Sequence, residues 1–151
     1  DVPGIVAEVA RGNARVNALG RVPDCDLRGL YEGASAFVFA TLHEGFGIPP
    51  LEAMRLGVPV ICAQSGAMPE VLGEAPLWFD PRENGDLARA LRCFAAMGDG
   101  QMATMIDRGQ AVAKKHDWRK GAAALAGVLV EANDALCLPR NGLAITSGLQ
   151  A

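Results

Sequence analysis

The sequence predicts an α/β fold in which a mainly parallel sheet is flanked by helices. Short apolar runs alternate along the chain with segments whose apolar residues recur at helical spacing, and glycine and proline separate the two kinds of segment. This alternation is typical of strand–helix–strand units. The chain has 151 residues, of which 50% are hydrophobic and 21% charged, so it has enough length and apolar content for one packed domain.

In the first half, the predicted elements alternate between helix and strand. Asp26 suits the N-cap of a helix over 27–33, because its carboxylate can accept hydrogen bonds from unpaired amides. Pro49 fits the first turn of a helix that runs to about Leu56, and Gly57 fits the left-handed residue that ends it. The other predicted elements are a helix over 5–11 and strands over 14–19, 36–40 and 59–63.

The second half is predicted to contain more helix than strand. Leu87, Leu91 and Phe94 have the spacing of a core-facing helical stripe. Residues 139–151 show no periodicity, so we predict one domain over 1–138 followed by a loose tail over 139–151. The predicted elements are a helical turn over 68–72, a strand over 77–79, and helices over 84–97, 102–115 and 121–136.

Composition and charge exclude several classes of protein. A net charge of −3 argues against a nucleic-acid partner. No apolar run is long enough to span a bilayer and no signal peptide opens the chain, so we expect a cytoplasmic protein. The chain begins at Asp1 rather than methionine, and we expect it to be part of a longer polypeptide. No CxxC pair occurs, which disfavours a metal site or disulfide framework and indicates buried free thiols at Cys25, Cys62, Cys93 and Cys137.

A glycine-containing turn precedes the predicted helix at Pro49. Gly45 and Gly47 allow the backbone to approach a ligand closely, and the helix start offers unpaired amides and partial positive charge. The turn follows a strand, and ligands of parallel α/β sheets bind at the carboxyl ends of the strands. These features favour an anionic diphosphate, although a purely structural turn has the same pattern.

Two carboxylates flank this turn. Glu44 precedes the glycines and Glu52 lies eight positions on, in the predicted first helical turn, so both can face one crevice. Because a carboxylate repels a phosphate, these side chains suit hydrogen bonds from hydroxyl groups. Hydroxyls next to a diphosphate indicate a sugar nucleotide. The alternatives are a favourable charge at a helix N-terminus for Glu52 and a solvated loop acid for Glu44.

The stretch EGFGIPPLEAMRLGVPV, which begins at Glu44, resembles the E-x7-E signature of family-4 retaining glycosyltransferases. It is followed by SGAMPEV from Ser65 and LWFDP from Leu77, as in that family. Upstream, ALGRVP and LYEGA resemble the family's LGxVP and LYxxA stretches, and HDW from His116 resembles its SW element. The resemblance covers about residues 14–136.

The resemblance implies a Rossmann-like, donor-binding C-terminal domain of the two-domain GT-B fold, here incomplete. It implies retaining transfer of a glycosyl group, of the mannosyltransferase or another hexosyltransferase kind, without a metal or cofactor. The donor would be a UDP- or GDP-sugar and the acceptor a glycan or lipid-linked glycan of polysaccharide biosynthesis, with the complete enzyme cytoplasmic or peripheral to the inner membrane face.

The same resemblance assigns roles to individual residues. Glu44, the catalytic candidate, would accept hydrogen bonds from the donor sugar, and Glu52 from the ribose. The remaining candidates bind the donor: backbone amides would face the diphosphate and sugar, and two upstream residues would face the base. The amides are those around Gly45, Phe46, Gly47 and Ile48, and the base contacts are Arg21 and Val22.

The chain also departs from the family pattern. Ala40-Thr41 replaces the usual Pro-Ser, and Arg55 replaces a small residue. Two strands expected in the middle of the sheet, together with their glycine loop and an Arg/Lys pair, do not precede the signature, and the acceptor domain does not either. We therefore expect the isolated chain to be inactive, with open strand edges that favour self-association. The alternatives are a non-catalytic fragment or subunit that associates through those edges, and a GT-B-like sugar-nucleotide epimerase.

Other polar residues are weaker candidates. His43 fits an exposed loop histidine, Glu70 a capping or solvated acid, and His116 with Trp118 a packing pair of the last helices. Ser65 lacks a GxSxG context, which disfavours a hydrolase. The absence of GxGxxG disfavours NAD binding.

Overall fold

The computed structural model of the protein describes residues 16–135 and divides the chain into two compact units. The first unit ends at Lys114 and holds the sheet. The second begins at Lys115, and its described helix is α6 (Trp118–Ala135). The elements that precede it are α1 (Asp24–Glu32), β1 (Phe37–Phe39), α2 (Ile48–Arg55), β2 (Val60–Ala63), α3 (Met68–Leu72), β3 (Leu77–Phe79), α4 (Asp86–Ala95) and α5 (Asp99–Lys115).

The sheet consists of parallel strands in the order β1-β2-β3. Phe37 of β1 pairs with Val60 of β2, and Ile61 of β2 pairs with Leu77 of β3. Helices α2 and α3 connect consecutive strands, so the loops that follow β1 and β2 start at the same edge of the sheet. The predicted α/β class with a parallel sheet and flanking helices is confirmed.

The central strand β2 is buried on both faces, as expected of a strand covered by helices on either side. Val60 and Cys62 belong to one apolar cluster, which includes Met54 of α2. Ile61 belongs to the cluster on the opposite face, with Ala90 of α4. Full burial of an aliphatic side chain such as Met54 stabilises the fold by roughly 1.5–3 kcal/mol, so α2 is firmly seated on the sheet.

Most predicted elements are confirmed with shifts of one to three residues at their ends. The helical turn at Met68–Leu72 and the strand Leu77–Phe79 have the predicted bounds, and Gly57 follows α2 with φ 77°. Helix α1 begins at Asp24, so Asp26 lies inside the helix; the N-cap is Pro23, and no side chain caps that end. The prediction of Asp26 as N-cap is therefore wrong.

Two further expectations are corrected. The predicted strand over 14–19 is wrong for its described part, because residues 16–19 are exposed and form no strand. Within residues 16–135, β1 pairs with β2 alone, so its other edge carries no strand there. Buried thiols were predicted throughout, but Cys25 and Cys93 are exposed and only Cys62 of these three is buried. Burial raises the pKa of the Cys62 thiol to about 12.

Some predictions fall on residues that the structure does not describe. These are the helix over 5–11, the tail over 139–151 and Cys137. The boundary between the two units follows Lys114, and the single domain predicted over 1–138 stays a prediction. Between residues 16 and 135, no helix combines the length and apolar character needed to cross a bilayer.

Candidate functional site

The segment that carries Glu44, residues 41–47, connects β1 to α2 at the carboxyl edge of the sheet; we call it the Glu44 loop. Its first turn is closed by Thr41. The Thr41 hydroxyl donates to the carbonyl oxygen of His43 at 3.1 Å and accepts from the His43 amide at 3.3 Å. This local hydrogen bonding supplies the order that the segment lacks from helix or sheet.

A second loop, residues 64–67 between β2 and α3, supports the Glu44 loop by hydrogen bonds; we call it the supporting loop. The Ser65 hydroxyl donates to the carbonyl oxygen of Thr41 at 2.9 Å. The Ala67 amide donates to the carbonyl oxygen of Glu44 at 3.4 Å. Both bonds reach main-chain atoms, so they hold the backbone of the Glu44 loop without using the Glu44 side chain.

Glycine allows the two segments to approach each other closely. A Cβ on Gly66, whose φ is +53°, would lie 2.6 Å from the carbonyl oxygen of Glu44. A Cβ on Gly47, whose φ is +79°, would lie 2.5 Å from Sδ of the buried Met68. Non-glycine residues rarely adopt such φ values, and the added atom would overlap its neighbour. The backbone of the loop therefore depends on these two glycines.

Glu44 is a half-buried residue whose carboxylate takes no part in the bonds described above. Within residues 16–135, this side chain forms no hydrogen bond or ion pair, whereas the main chain of the same residue is held by the supporting loop. A fixed backbone with an unused carboxylate is an acceptor prepared for donors on a ligand.

The first turn of α2 itself has few amide hydrogens that could bind an anion. Pro49 and Pro50, in its first turn, carry no amide hydrogen, so the donors at this end belong mainly to the glycine turn and Ile48. Gly47 is the N-cap, and no side chain caps the helix. An anion at this end would be met by the main chain between Gly45 and Ile48 rather than by the prolines that follow.

Glu52 is the fifth residue of α2, which places it in the second turn rather than in the predicted first turn. Its Cα lies about 6 Å along the helix axis from that of Ile48. The Tyr31 hydroxyl of α1 donates to Oε2 of Glu52 at 3.3 Å. Burial, then the nearby charge of Glu52 and its hydrogen bond, raises the pKa of Tyr31 to about 12.

The two predicted base contacts lie just before α1. Arg21 is exposed and forms no ion pair within residues 16–135, and Val22 is half-buried. Among the weaker candidates, Glu70 is an exposed residue of α3. Trp118 is 79% exposed, so its predicted packing role is not supported. The described residues contain no group of histidine, cysteine and acidic side chains that could hold a metal ion.

A third loop, residues 80–85 between β3 and α4, is held by two charged side chains of α4. Asp86 accepts a hydrogen bond from the Asp80 amide at 2.8 Å and forms an ion pair with Arg89. Arg89 also donates to the carbonyl oxygen of Trp78 at 3.2 Å. The hydrogen bond from Arg89, followed by that from Asp80, lowers the pKa of Asp86 to about 2. These groups stabilise a turn and leave little bonding capacity for a ligand.

Sequence reasoning missed the contribution of three residues. In the sequence, Tyr31 is part of the LYEGA stretch and carries no predicted role, Ser65 is considered only as a nucleophile, and Gly66 carries no prediction. Each acts on a partner distant in sequence: Tyr31 on Glu52, and the other two on the Glu44 loop. The small residues Ser65 and Gly66 before α3 could have indicated a close contact, but only the fold shows that the contact is with the Glu44 loop.

Comparison with known proteins relates the chain to enzymes of sugar transfer. Residues 7–112 match the family described as "Glycosyl transferases group 1". O-antigen chain mannosyltransferase B of Escherichia coli is 42% identical over 103 residues, which cover 68% of the chain and 27% of that relative. D-inositol 3-phosphate glycosyltransferase of Streptomyces bingchenggensis is 33% identical over 116 residues, covering 73% of the chain and 25% of that relative.

A solved structure shares the fold. Sucrose-phosphate synthase from Thermosynechococcus elongatus superposes with a TM-score of 0.75 at 25% identity, over 89% of the chain and 34% of that structure. The chain thus spans about a quarter to a third of the length of these proteins. It covers 27% of the mannosyltransferase, 25% of the D-inositol 3-phosphate glycosyltransferase and 34% of the sucrose-phosphate synthase.

Proposed function

This chain belongs to the group 1 glycosyltransferases, whose family pattern matches residues 7–112, and we propose that it is the donor-binding part of a retaining enzyme that transfers a glycosyl group. In this proposal the complete enzyme binds a nucleotide-diphosphate sugar at the carboxyl edge of the sheet. The likeness to sucrose-phosphate synthase supports an incomplete Rossmann-like domain of the GT-B fold.

The observation that carries the proposal is the unused Glu44 carboxylate on a fixed loop. Its main chain is held by Ala67, and its side chain forms no bond within the described part of the chain. A sugar ring presents several hydroxyl donors, and an ionised carboxylate accepts them with charge-assisted hydrogen bonds. Glu44 therefore orients the sugar, and we assign it as the catalytic residue.

The amides around Phe46, Gly47 and Ile48 complete the proposed site, next to the donor-binding Gly45. When the bond between the sugar and the diphosphate breaks, negative charge develops on the leaving phosphate. Main-chain amides and a helix start stabilise such charge without a metal ion or a cofactor. Glu52 would then hold the ribose, with Arg21 and Val22 near the base.

The names of the relatives support a narrower proposal about substrates. The Escherichia coli relative is named an O-antigen chain mannosyltransferase, which favours a mannosyl donor and a glycan or lipid-linked acceptor in polysaccharide biosynthesis. We propose UDP or GDP as the nucleotide, no nucleic-acid partner, and a cytoplasmic enzyme that can lie at the inner membrane face. We also propose self-association through the edge of β1 that pairs with no strand within residues 16–135; Val38 on this strand is 39% exposed.

The test is calorimetric titration of the full-length gene product that contains this sequence with UDP and GDP, with transfer activity measured in parallel. One nucleotide should bind more tightly than about 100 μM, which corresponds to about 5.5 kcal/mol. Glu52→Ala should weaken nucleotide binding, and Glu44→Ala should lower turnover while nucleotide binding is retained. Glu74→Ala, an exposed carboxylate before the start of β3, is the control and should change neither.

Two results would contradict the proposal. If neither nucleotide binds the wild-type protein, the site is not a nucleotide-sugar site. If Glu44→Ala and Glu52→Ala both behave like Glu74→Ala, the nucleotide binds elsewhere and the site assignment is wrong.

A further inference from the structure

We infer that Tyr31 is a positioning residue for Glu52, which it holds in the orientation that receives the hydroxyl groups of the nucleotide's ribose. The inference rests on the proposed function. It adds a residue from α1 to a site that is otherwise built from the Glu44 loop, α2 and the two residues Arg21 and Val22 before α1.

The phenol of Tyr31 is held rigidly. Its residue is 7% exposed and belongs to the larger apolar cluster of the core. Its ring meets the ring of Phe37 on β1 edge to face, with the centroids 5.3 Å apart. A ring packed in this way has little rotational freedom, so the position of its hydroxyl is determined by the core.

Glu52 lacks such packing. It is an exposed residue on α2, and a glutamate there has several rotamers of similar energy. The hydrogen bond from Tyr31 to Oε2 selects among them and uses one carboxylate oxygen. Within residues 16–135, Oε1 makes no hydrogen bond, so it is the oxygen available to a ligand.

A phenol is a suitable hydrogen-bond donor for orienting the carboxylate of Glu52. It donates one hydrogen bond and brings no positive charge, so the carboxylate remains a negatively charged acceptor. The raised pKa of Tyr31, about 12, means that the hydroxyl keeps its proton at neutral pH. An ammonium or guanidinium at the same place would compete with the ribose for the charge of Glu52.

The hydrogen bond also joins α1 to α2, so a purely structural role must be distinguished. The variant is Tyr31→Phe, which keeps the ring and removes only the hydroxyl. The control is Arg28→Gln, which removes another hydrogen bond to a carboxylate on the same helix, that of Arg28 to Glu32 at 2.7 Å. Both variants are made in the full-length protein, and thermal unfolding is measured for each.

The readout is calorimetric titration with UDP or GDP, whichever binds the wild-type protein, and with its 2′,3′-dideoxy counterpart. Tyr31→Phe should weaken binding of the ribonucleotide about three- to tenfold, the effect of one lost hydrogen bond, and leave binding of the dideoxynucleotide unchanged. In a Glu52→Ala background, Tyr31→Phe should cause no further loss. Arg28→Gln should bind both nucleotides as the wild type does.

Three outcomes would overturn the inference. Equal affinities of wild type and Tyr31→Phe for the ribonucleotide would show that Tyr31 does not position Glu52 for binding. An equal loss for both nucleotides, or a loss that persists without Glu52, would show that the hydroxyl acts through the fold. If wild-type protein binds neither nucleotide, the proposed function itself is wrong, and this inference with it.

Discussion

The supporting loop after β2 and the loop after β3 lie at the same edge of the sheet, but they use their polar groups differently. The supporting loop directs Ser65 and the Ala67 amide to the backbone of the Glu44 loop. The loop after β3 is instead held by Asp86 and Arg89 of α4, which bond to the main chain of Asp80 and Trp78. An acidic residue such as Glu44, whose main chain is held by neighbouring residues, is therefore a candidate for binding a ligand. An acidic residue such as Asp86, whose carboxylate itself holds the main chain of a turn, has a structural role.

Gly66→Ala should have the largest effect, because it breaks the contact between the supporting loop and the Glu44 loop. A non-glycine residue at positive φ costs about 1–2 kcal/mol, and the overlap with the Glu44 carbonyl oxygen adds about 1–3 kcal/mol. Chemical denaturation measures the loss of stability. Sugar-nucleotide affinity should fall at the same time, because the backbone of Glu44 must move.

Gly85→Ala is the matched control for that variant. Gly85 also has a positive φ, 88°, but a Cβ there would meet nothing within 4 Å. It should cost only the φ penalty of about 1–2 kcal/mol and leave nucleotide binding unchanged. Equal losses of stability and affinity in the two variants would mean that the close approach of Gly66 to Glu44 contributes neither to stability nor to binding.

Ser65→Ala should have an intermediate effect that falls mainly on sugar binding. It removes the hydrogen bond to Thr41, worth about 1 kcal/mol, and loosens the start of the Glu44 loop. The affinity for a sugar nucleotide should fall about fivefold, and that for the nucleotide alone should fall less, because the proposed partner of Glu44 is the sugar and the proposed diphosphate contacts lie at the other end of the loop. Thr104→Val, which removes a side-chain bond to the Gly100 carbonyl on α5, is the control. An equal fall in both affinities would contradict the assignment of Glu44 to the sugar.

Asp86→Asn should have the smallest effect and should separate the third loop from the site. The pKa of Asp86 is lowered from 3.8 to about 2 in the folded chain, so its carboxylate contributes stability above about pH 4, and the contribution is lost as pH falls toward 2. The variant should lower stability at pH 6 and flatten this part of the pH dependence, as measured by urea denaturation between pH 2 and 6. Nucleotide affinity at neutral pH should not change, and a clear loss would place this loop in the site.

Local signals predicted much of the fold. Glycines and prolines mark the ends of α2, α3 and β3, and these elements have almost the predicted bounds. The start of α1 was misplaced because an aspartate is the usual cap, whereas Pro23 with φ −62° precedes the helix and both aspartates lie in its first turn. Residues 16–19, the described part of the strand predicted over 14–19, form no strand, because a strand needs a partner and none of the described strands pairs with them.

The sequence indicated the residues proposed to bind the ligand, but not the residues that support them. Glu44 and Glu52 belong to a contiguous pattern, so their spacing could be read directly from the chain. The contact between Tyr31 and Glu52 joins residues 21 positions apart, and it depends on a fold in which α1 and α2 contribute to one core. The bond from Ser65 to Thr41 likewise depends on parallel strands that end at the same edge.

The proline pair at the start of α2 gives the site a built-in reporter for hydrogen–deuterium exchange. Pro49 and Pro50 have no exchangeable amide, so a peptide that spans the turn and the helix start carries its signal on the amides of Gly45, Phe46, Gly47 and Ile48 and then on those from Leu51 onward. The proposed diphosphate contacts are thus separated from the helix interior by two silent positions. In a peptide that ends at Pro50, protection on ligand addition can therefore be attributed to the turn without single-residue resolution.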